Sequence, residues 1–415
     1  MSRILLATTG SLGDLFPYLA VAAGLQGRGH RVVIATADGY RERVEAAGLG
    51  FAPMHPHMPE GEPDPALFAQ AMDPRGGPEF VWRKLVAEPI REAHADLLAA
   101  SEGMDLILAS PVAAAAPMVA EQRGIPWAPA YLQPLTLFSA EDPGIPAGYA
   151  WLGRMDWLRR LLGPVMRRTA RRIVRGWSRE VTAFRAELGL AFARDPILNA
   201  AQPPAFSLAL FSPLLAQVEP EPTGFPFWDE PAPMPRALAR FLAAGPPPLV
   251  FTLGSAAVHA PGRFFAASLA AAQQLGQRAV LLTGTARSRE ALGPLPETVL
   301  AMDYLPHAAL FPAASVIIHQ GGIGTAAQAM RAGRPMLVVP FSHDQPDNAA
   351  RLARLGIAGI LPAPRYRADR AARALAPLLR EEGFAARAGA IGLAVRAEDG
   401  VGAACDAVEA NLRRG

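Results

Sequence analysis

Short apolar runs alternate with helically spaced segments along most of this chain. Residues 4–9 (ILLATT) form an apolar run, 16–26 carry apolar positions at helical spacing, and 31–36 (RVVIAT) are a second, β-branched run. Further on, 105–109 (DLILA) precede the helical AAAAPMVAEQRG, 127–131 (WAPAY) read as another strand, and 206–211 as the last strand of this half. After residue 247 the alternation resumes with PLVFTLG, FFAASLAAAQQLG, RAVLLTG, SVIIH, a glycine turn, a helix to Ala332, PMLVVP and DNAARLARLG. Strands and helices in strict alternation predict parallel sheets with crossover helices, and therefore an α/β protein of two doubly wound halves. Ligands of such sheets lie beyond the carboxyl ends of the strands, so the two halves are expected to face each other across a cleft.

Two segments interrupt the pattern. Residues 217–247 are crowded with proline, which reads as a stiff linker without helix or central strand. It divides an N-terminal domain (1–216) from a C-terminal domain (248–395), followed by a terminal helix in 396–415 expected to pack back on the first domain. Residues 149–177 combine arginine with Trp, Leu, Met and Ile around Pro164, predicting two amphipathic helices. A solvated arginine face over a core-facing stripe explains this composition. The same stripe could wall a greasy acceptor site or touch a membrane surface as a peripheral contact.

A length of 415 residues exceeds one ordinary core, and a hydrophobic fraction of 51% argues against disorder. No apolar run reaches the roughly 18 residues of a membrane span, and the N-terminus lacks a signal-peptide pattern, so a cytoplasmic protein is expected. Cys405 is the sole cysteine, which excludes an internal disulfide and a thiolate zinc cluster. The net charge is +3, and Lys84 is the only lysine among many arginines. That balance reflects residue bias, and no nucleic-acid motif accompanies it.

The chemistry gathers at two glycine turns, TTGSLGDLFP and HQGGIGT, each following a strand and opening a helix. Glycine lets backbone approach a ligand, and a helix N-terminus offers free N–H groups suited to phosphate. A Walker loop is excluded because Thr325, not lysine, follows Gly324. A dinucleotide turn is poorly matched, with Gly10 and Gly13 alone and Asp38 as a weak ribose partner. In the second turn His319 and the 321–325 backbone converge on one point, where a histidine can donate to a phosphate oxygen or serve as a core residue. Ser255, after the first strand of the second half, could reach the same anion. Asp344 and Gln345 precede Pro346 at a helix start; they are capping groups or ligands for neighbouring sugar hydroxyls.

HQGGIGT, followed by AGRP, a strand and PFSHDQPDNA, resembles the donor signature of inverting GT-B glycosyltransferases of the UDP-glycosyltransferase superfamily. GSLGDLFPYLAVAAGLQGRGHRV is similar to the opening of its bacterial antibiotic and sterol branch. The resemblance implies that Ser255, His319, Gly321, Gly322, Gly324 and Thr325 hold the diphosphate of a UDP- or dTDP-hexose. It implies that Asp344 and Gln345 contact the sugar, and that Tyr304, Leu305 and His307 flank the base. It places Asp14 where many members carry a catalytic histidine. Apolar neighbours would raise the Asp14 pKa toward a general base's range, while helix capping is its simpler role. The implied reaction moves a hexose, with inversion, to a hydroxyl of an apolar small molecule or lipid, without a metal or other cofactor. Acceptor choice would lie in loops near 55–85 and 133–180. Three features depart from the family: Ala327 and Gln328 stand where plant members have a ribose-binding glutamate, no tryptophan stands near the start of the motif to stack on the base, and Ser110 replaces a histidine-orienting aspartate. A non-catalytic sugar-nucleotide-binding or activator subunit and a nucleotide-sugar epimerase are the alternatives.

Overall fold

The computed structural model describes the chain except residues 58–63, 147, 148, 150, 151, 154, 196, 231, 232, 414 and 415 and the Asp156 side chain. Parts of the 149–177 reading, of the 55–85 loop and of the C-terminal tail therefore lie outside the described residues.

Two six-stranded sheets carry the structure. The first contains β1 (Arg3–Ala7), β2 (Arg31–Thr36), β3 (Gly50–Pro53), β4 (Leu106–Ala109), β5 (Trp127–Tyr131) and β6 (Leu208–Ala209), in the order β3-β2-β1-β4-β5-β6. The second contains β7 (Leu249–Thr252), β8 (Ala279–Leu282), β9 (Val299–Met302), β10 (Val316–His319), β11 (Met336–Val338) and β12 (Ala358–Ile360), in the order β12-β11-β10-β7-β8-β9. Every pairing between these strands is parallel. Both faces of parallel sheets are covered by helices, which is why strands such as β4, β7 and β10 are buried at every position and read as continuous apolar runs. The doubly wound α/β architecture expected from the alternation is present twice. The strand order reverses at β1/β4 in one sheet and β7/β10 in the other, and the two glycine turns leave β1 and β10 at these switch points.

Four further features frame the halves, and two of them join one half to the other. The helix α1 (Leu12–Gly27) opens directly after the first turn. Two short helices, α2 (Arg41–Ala46) and α3 (Pro65–Ala71), follow β2 and β3, and α3 reaches across to the second half: His343 Nε2 lies 2.8 Å from the Ala71 carbonyl, and Ser342 Oγ donates to the Asp73 carbonyl at 2.8 Å. The helix α4 (Ile90–Ala100) covers the first sheet. A buried ionic chain then joins Arg159 to Asp142, Asp142 to Arg351 and Arg351 to Asp347, whose carboxylate also accepts from the Ile145 N–H at 3.0 Å. Burial opposes the Asp142 charge, but Arg351 and Arg159 beside it hold that carboxyl below its ordinary range.

Two expectations are corrected here. Pro164 does not divide its segment: α5 (Asp156–Trp177) is one helix with the proline inside. Tertiary anchoring overrides the lost backbone bond, because buried Arg159 grips Asp142 and the Pro143 carbonyl, and Gly163 packs so closely that a Cβ there would lie 2.0 Å from the Ala140 carbonyl oxygen. The proline-rich stretch does contain a helix, α6 (Arg236–Ala243), since no proline falls between Pro235 and Pro246 and RALARFLA is an amphipathic run that buries Leu238.

The remaining helices used below are α7 (Ile323–Ala332), α8 (Gln345–Arg354), α9 (Glu382–Ala397) and α10 (Gly400–Leu412). The last of these lies on α1: a Cβ on Gly24 would meet Val401 at 2.5 Å and Cys405 at 2.9 Å, and Arg28 pairs with Asp406 and Glu409. No helix among the described residues is long and apolar enough to cross a membrane.

Candidate functional site

The second glycine turn is shaped by its backbone. Gly321 has φ +93°, and a Cβ there would sit 2.8 Å from Val338 and 3.1 Å from the Gln345 carbonyl oxygen, so only glycine fits between β11 and α8. The chain enters α7 through Gly322, with no side-chain cap and no acid in the first turn. The first N–H groups of that helix therefore keep the positive end of the helix dipole open toward the cleft.

Three polar atoms near this turn are buried without a hydrogen-bond partner among the described residues: His319 Nε2, Gln320 Oε1 and Asn348 Oδ1. His319 Nδ1 accepts from the Gly321 N–H at 3.1 Å, which assigns the ring proton to Nε2. Burial, with His307 nearby, pushes the His319 pKa down to about 3, so the ring is a neutral donor. A buried donor left unsatisfied is costly, and a ligand oxygen would relieve that cost.

Asp344, the N-cap residue of α8, accepts from Asn348 Nδ2 at 2.6 Å, and the same amide nitrogen donates to the Gly321 carbonyl at 2.9 Å. The sequence reading did not single out Asn348, yet it ties the acid to the glycine turn; its i+4 position on the helix that Asp344 opens was the available signal. Burial pushes the Asp344 pKa up to about 7, the hydrogen bond from Asn348 opposes this, and the charge on Asp14 adds to the rise. Gln345 uses its carbonyl to accept from the N–H groups of Phe341 (2.8 Å) and Ser342 (3.3 Å), leaving its amide nitrogen for a ligand. The loop after β7 joins them, since a Cβ on Gly254 would lie 2.3 Å from Gln320 Nε2 and 3.2 Å from Thr325 Oγ1, with Ser255 the next residue.

The 304–307 segment is divided. Leu305 is buried and the His307 ring stacks on Phe311 at 4.4 Å, with burial lowering its pKa to about 4. Tyr304 is half exposed and donates to Glu230 at 3.4 Å, which in turn pairs with Arg43 of α2. Gln328 turns to Asp229 and Arg331, and Ala327 is buried, so neither stands free in the turn.

The first turn faces the second. A Cβ on Gly324 would lie 3.6 Å from the Gly13 Cα, so the N-termini of α1 and α7 abut across the cleft. Here the helix is capped: Ser11 Oγ accepts from the Gly13 N–H at 3.3 Å, while the Ser11 N–H donates to Asp14 Oδ2 at 2.8 Å and Ser11 Oγ bonds the same oxygen at 3.1 Å. The capping role for Asp14 is thus real, but both bonds fall on Oδ2, and Oδ1 makes no hydrogen bond among the described residues. Gly10 makes room for the carboxylate, since a Cβ there would be 2.4 Å from Oδ2. Burial raises the Asp14 pKa, and the Ser11 bonds only partly oppose it. Ser110 is buried beside the Tyr18 phenol, whose hydroxyl donates to the Ala130 carbonyl at 2.9 Å.

Beside this turn, a small apolar cavity of about 10 Å³, room for about one water molecule, is lined by Thr9, Met54, His55, Val86, Ile90 and Leu97 among others. At its rim His55, His57 and Asp96 come together, a cluster that the sequence reading did not assemble; the His-Pro-His spacing was its only trace.

Comparison with known proteins agrees with this arrangement. Residues 4–137 match the glycosyltransferase family 28 N-terminal domain, and residues 267–399 match the erythromycin biosynthesis protein CIII-like C-terminal domain. The chain is 33% identical to O-mycaminosyltylonolide 6-deoxyallosyltransferase of Streptomyces fradiae, over 98% of this chain and 97% of that protein. It is 31% identical to glycosyltransferase GtfC of Amycolatopsis orientalis, over 95% of this chain and 94% of that one. Among solved structures, the kitacinnamycin glycosyltransferase superposes with TM-score 0.70 at 23% identity, over 99% of this chain and 98% of the other. Glycosyltransferase VinC in complex with dTDP does so with TM-score 0.70 at 22% identity, over the whole of both chains. With two switch-point turns meeting across one cleft, matches to both halves and full-length relatives of this kind, the chain belongs to the bacterial UDP-glycosyltransferase-like GT-B glycosyltransferases of antibiotic and natural-product type.

Proposed function

We propose that this glycosyltransferase moves a hexose from a UDP- or dTDP-sugar to a hydroxyl of an apolar natural product, inverting the anomeric centre, with Asp14 as general base. The observation that carries the reading is the asymmetry of the abutting helix ends: α7 is uncapped beside the unpartnered His319 Nε2, whereas α1 presents a carboxylate with one free oxygen. In the step, Asp14 Oδ1 takes the acceptor's hydroxyl proton as its oxygen bonds to C1. The bond from C1 to the diphosphate oxygen breaks, and its electron pair departs on the diphosphate. The open N–H groups of α7, Thr325, Ser255 and neutral His319 stabilise that charge, the work a cation performs in other transferases. Asp344 and the Gln345 amide meet the sugar hydroxyls, and Leu305 and His307 border the base.

The dTDP bound to VinC and the 6-deoxyallosyl transfer named for the Streptomyces relative support a dTDP-deoxyhexose as donor. Trp157, Leu161 and Val165 form an exposed row on α5, next to Arg160 and Arg168, and support reach toward a lipid-like acceptor or an anionic membrane surface. Incubation with UDP- and dTDP-hexoses and a panel of phenolic, macrolide and sterol acceptors should yield a glycoside whose anomeric configuration, read by NMR, is inverted. Tight donor binding with no product from any acceptor would favour an activator subunit. Conversion of the sugar nucleotide without an acceptor would favour an epimerase.

A further inference from the structure

Three donor groups converge at the rim of the apolar cavity, outside both glycine turns. His55 and His57 follow β3 on one short bent segment, and Asp96 comes from α4. One ligand atom from each lies within 4.8 Å of the other two. The carboxylate of Asp96 already orients His55, accepting from its backbone N–H at 2.9 Å and meeting its Nδ1 at 2.7 Å. His57 stacks on His55 with ring centroids 3.9 Å apart. Its Nδ1 is buried with no hydrogen-bond partner among the described residues, and the Asp38 carboxylate stands 3.6 Å from it, beyond hydrogen-bond reach. Two imidazoles, one held by a carboxylate and the other carrying an orphaned nitrogen, with a second acid adjacent, leave a need that none of these side chains meets.

We propose that His55, His57 and Asp96 hold one divalent transition-metal ion of the zinc class, with Asp38 positioned as a fourth donor. Imidazole and carboxylate donors suit zinc and its neighbours, whereas magnesium favours an all-oxygen octahedron. Tetrahedral ligands at about 2.0–2.1 Å place donor atoms about 3.4 Å apart. Small rotations of these half-exposed side chains suffice to reach that spacing. The ion takes the place of the contact between His55 Nδ1 and Asp96, and the ring proton of His55 then sits on Nε2. It cross-links the segment leaving β3, α4 and the turn that follows β2, and so pins the cavity's rim; it takes no part in bond breaking at the sugar.

The test uses the full chain, free of any tag and stripped with a chelator, then dialysed against Co²⁺ or Zn²⁺. The proposal expects one ion per chain by elemental analysis, the visible bands of tetrahedral Co²⁺, and an unfolding midpoint that climbs with the logarithm of free Zn²⁺. His57→Ala should weaken Zn²⁺ binding at least about ten-fold, with an unchanged midpoint in chelator. Asp96→Asn should weaken it too, and His30→Ala, at a separate site against Glu409, should not. Less than one ion per chain, Co²⁺ without tetrahedral bands, or wild-type affinity in both His57→Ala and Asp96→Asn would overturn it. None of these readouts depends on sugar transfer, so the outcome is independent of the proposed reaction.

Discussion

After β1 the chain turns through Gly10 into a helix whose first N–H groups and N-cap are met by Ser11 and Asp14; after β10 it turns through Gly321 into a helix that no side chain caps. Both turns follow a buried strand at a switch point, and both need glycine for close backbone approach. Their electrostatics differ because of a few side chains. Ser11 and Asp14 satisfy the first helix from within and set a carboxylate at its mouth. In the second turn the histidine bonds its own turn with one nitrogen and leaves the other unused. Identical topology therefore produces an acidic lip and an anion-seeking lip, and the transfer reaction proposed above would use one of each.

The largest expected effect breaks the acidic lip. Asp14→Asn should lower turnover by a factor on the order of 100 or more while donor affinity, measured by titration calorimetry, is kept. An unchanged rate would remove Asp14 as base. The same variant should also move a titration across the cleft, because the Asp14 charge helps raise Asp344 to about 7. In the wild type the folded chain keeps the Asp344 proton between the ordinary 3.8 and about 7, so this group's contribution to stability falls as pH rises through that window. His319 acts oppositely. Its pKa drops from 6.5 to about 3, so its contribution is complete above 6.5 and is lost as pH falls toward 3. In Asp14→Asn the Asp344 step, followed by NMR, should shift to lower pH.

Breaking the anion-seeking lip should cost affinity before turnover. A hydrogen bond to a charged group contributes about 1.5–3 kcal/mol, so His319→Ala should weaken donor binding roughly ten- to hundred-fold. Normal affinity in that variant would take the diphosphate away from His319. The smallest effect sharpens the contrast without touching the anion. Ser11→Ala removes a cap and should lower unfolding stability in urea by about 1 kcal/mol, leaving the donor dissociation constant as it was. Weakened donor binding in Ser11→Ala would mean that the first turn also serves the diphosphate.

Much of this arrangement was legible in the one-dimensional pattern. Apolar runs of four to six residues between helical segments were enough to call two parallel sheets, because a strand buried on both faces must be apolar throughout. The glycine spacing named both turns, since a positive φ or a sub-3 Å approach to a neighbour excludes other residues at Gly10 and Gly321. The sequence also nominated Asp14, His319, Asp344 and Gln345, which the fold gathers around one cleft. Long-range partners were not legible. Asp142 meets Arg351 across 209 residues, and His55 meets Asp96 across 41, with no local periodicity to announce either pair. Packing likewise carried α5 through Pro164 against its local propensity, because Arg159 and Gly163 dock on residues 140–143.

The sequence by itself determined the alternation of strand and helix and where backbone must approach closely, though not every element, since these follow from local periodicity and the sterics of single residues. Only the tertiary structure decided what each polar group meets: that Asp14 charges the surroundings of Asp344, that His319 keeps one donor free, and that two histidines and two acids share a rim. Those facts depend on distances between residues far apart in the chain, and such distances arise only when burial folds the two sheets and their helices against each other.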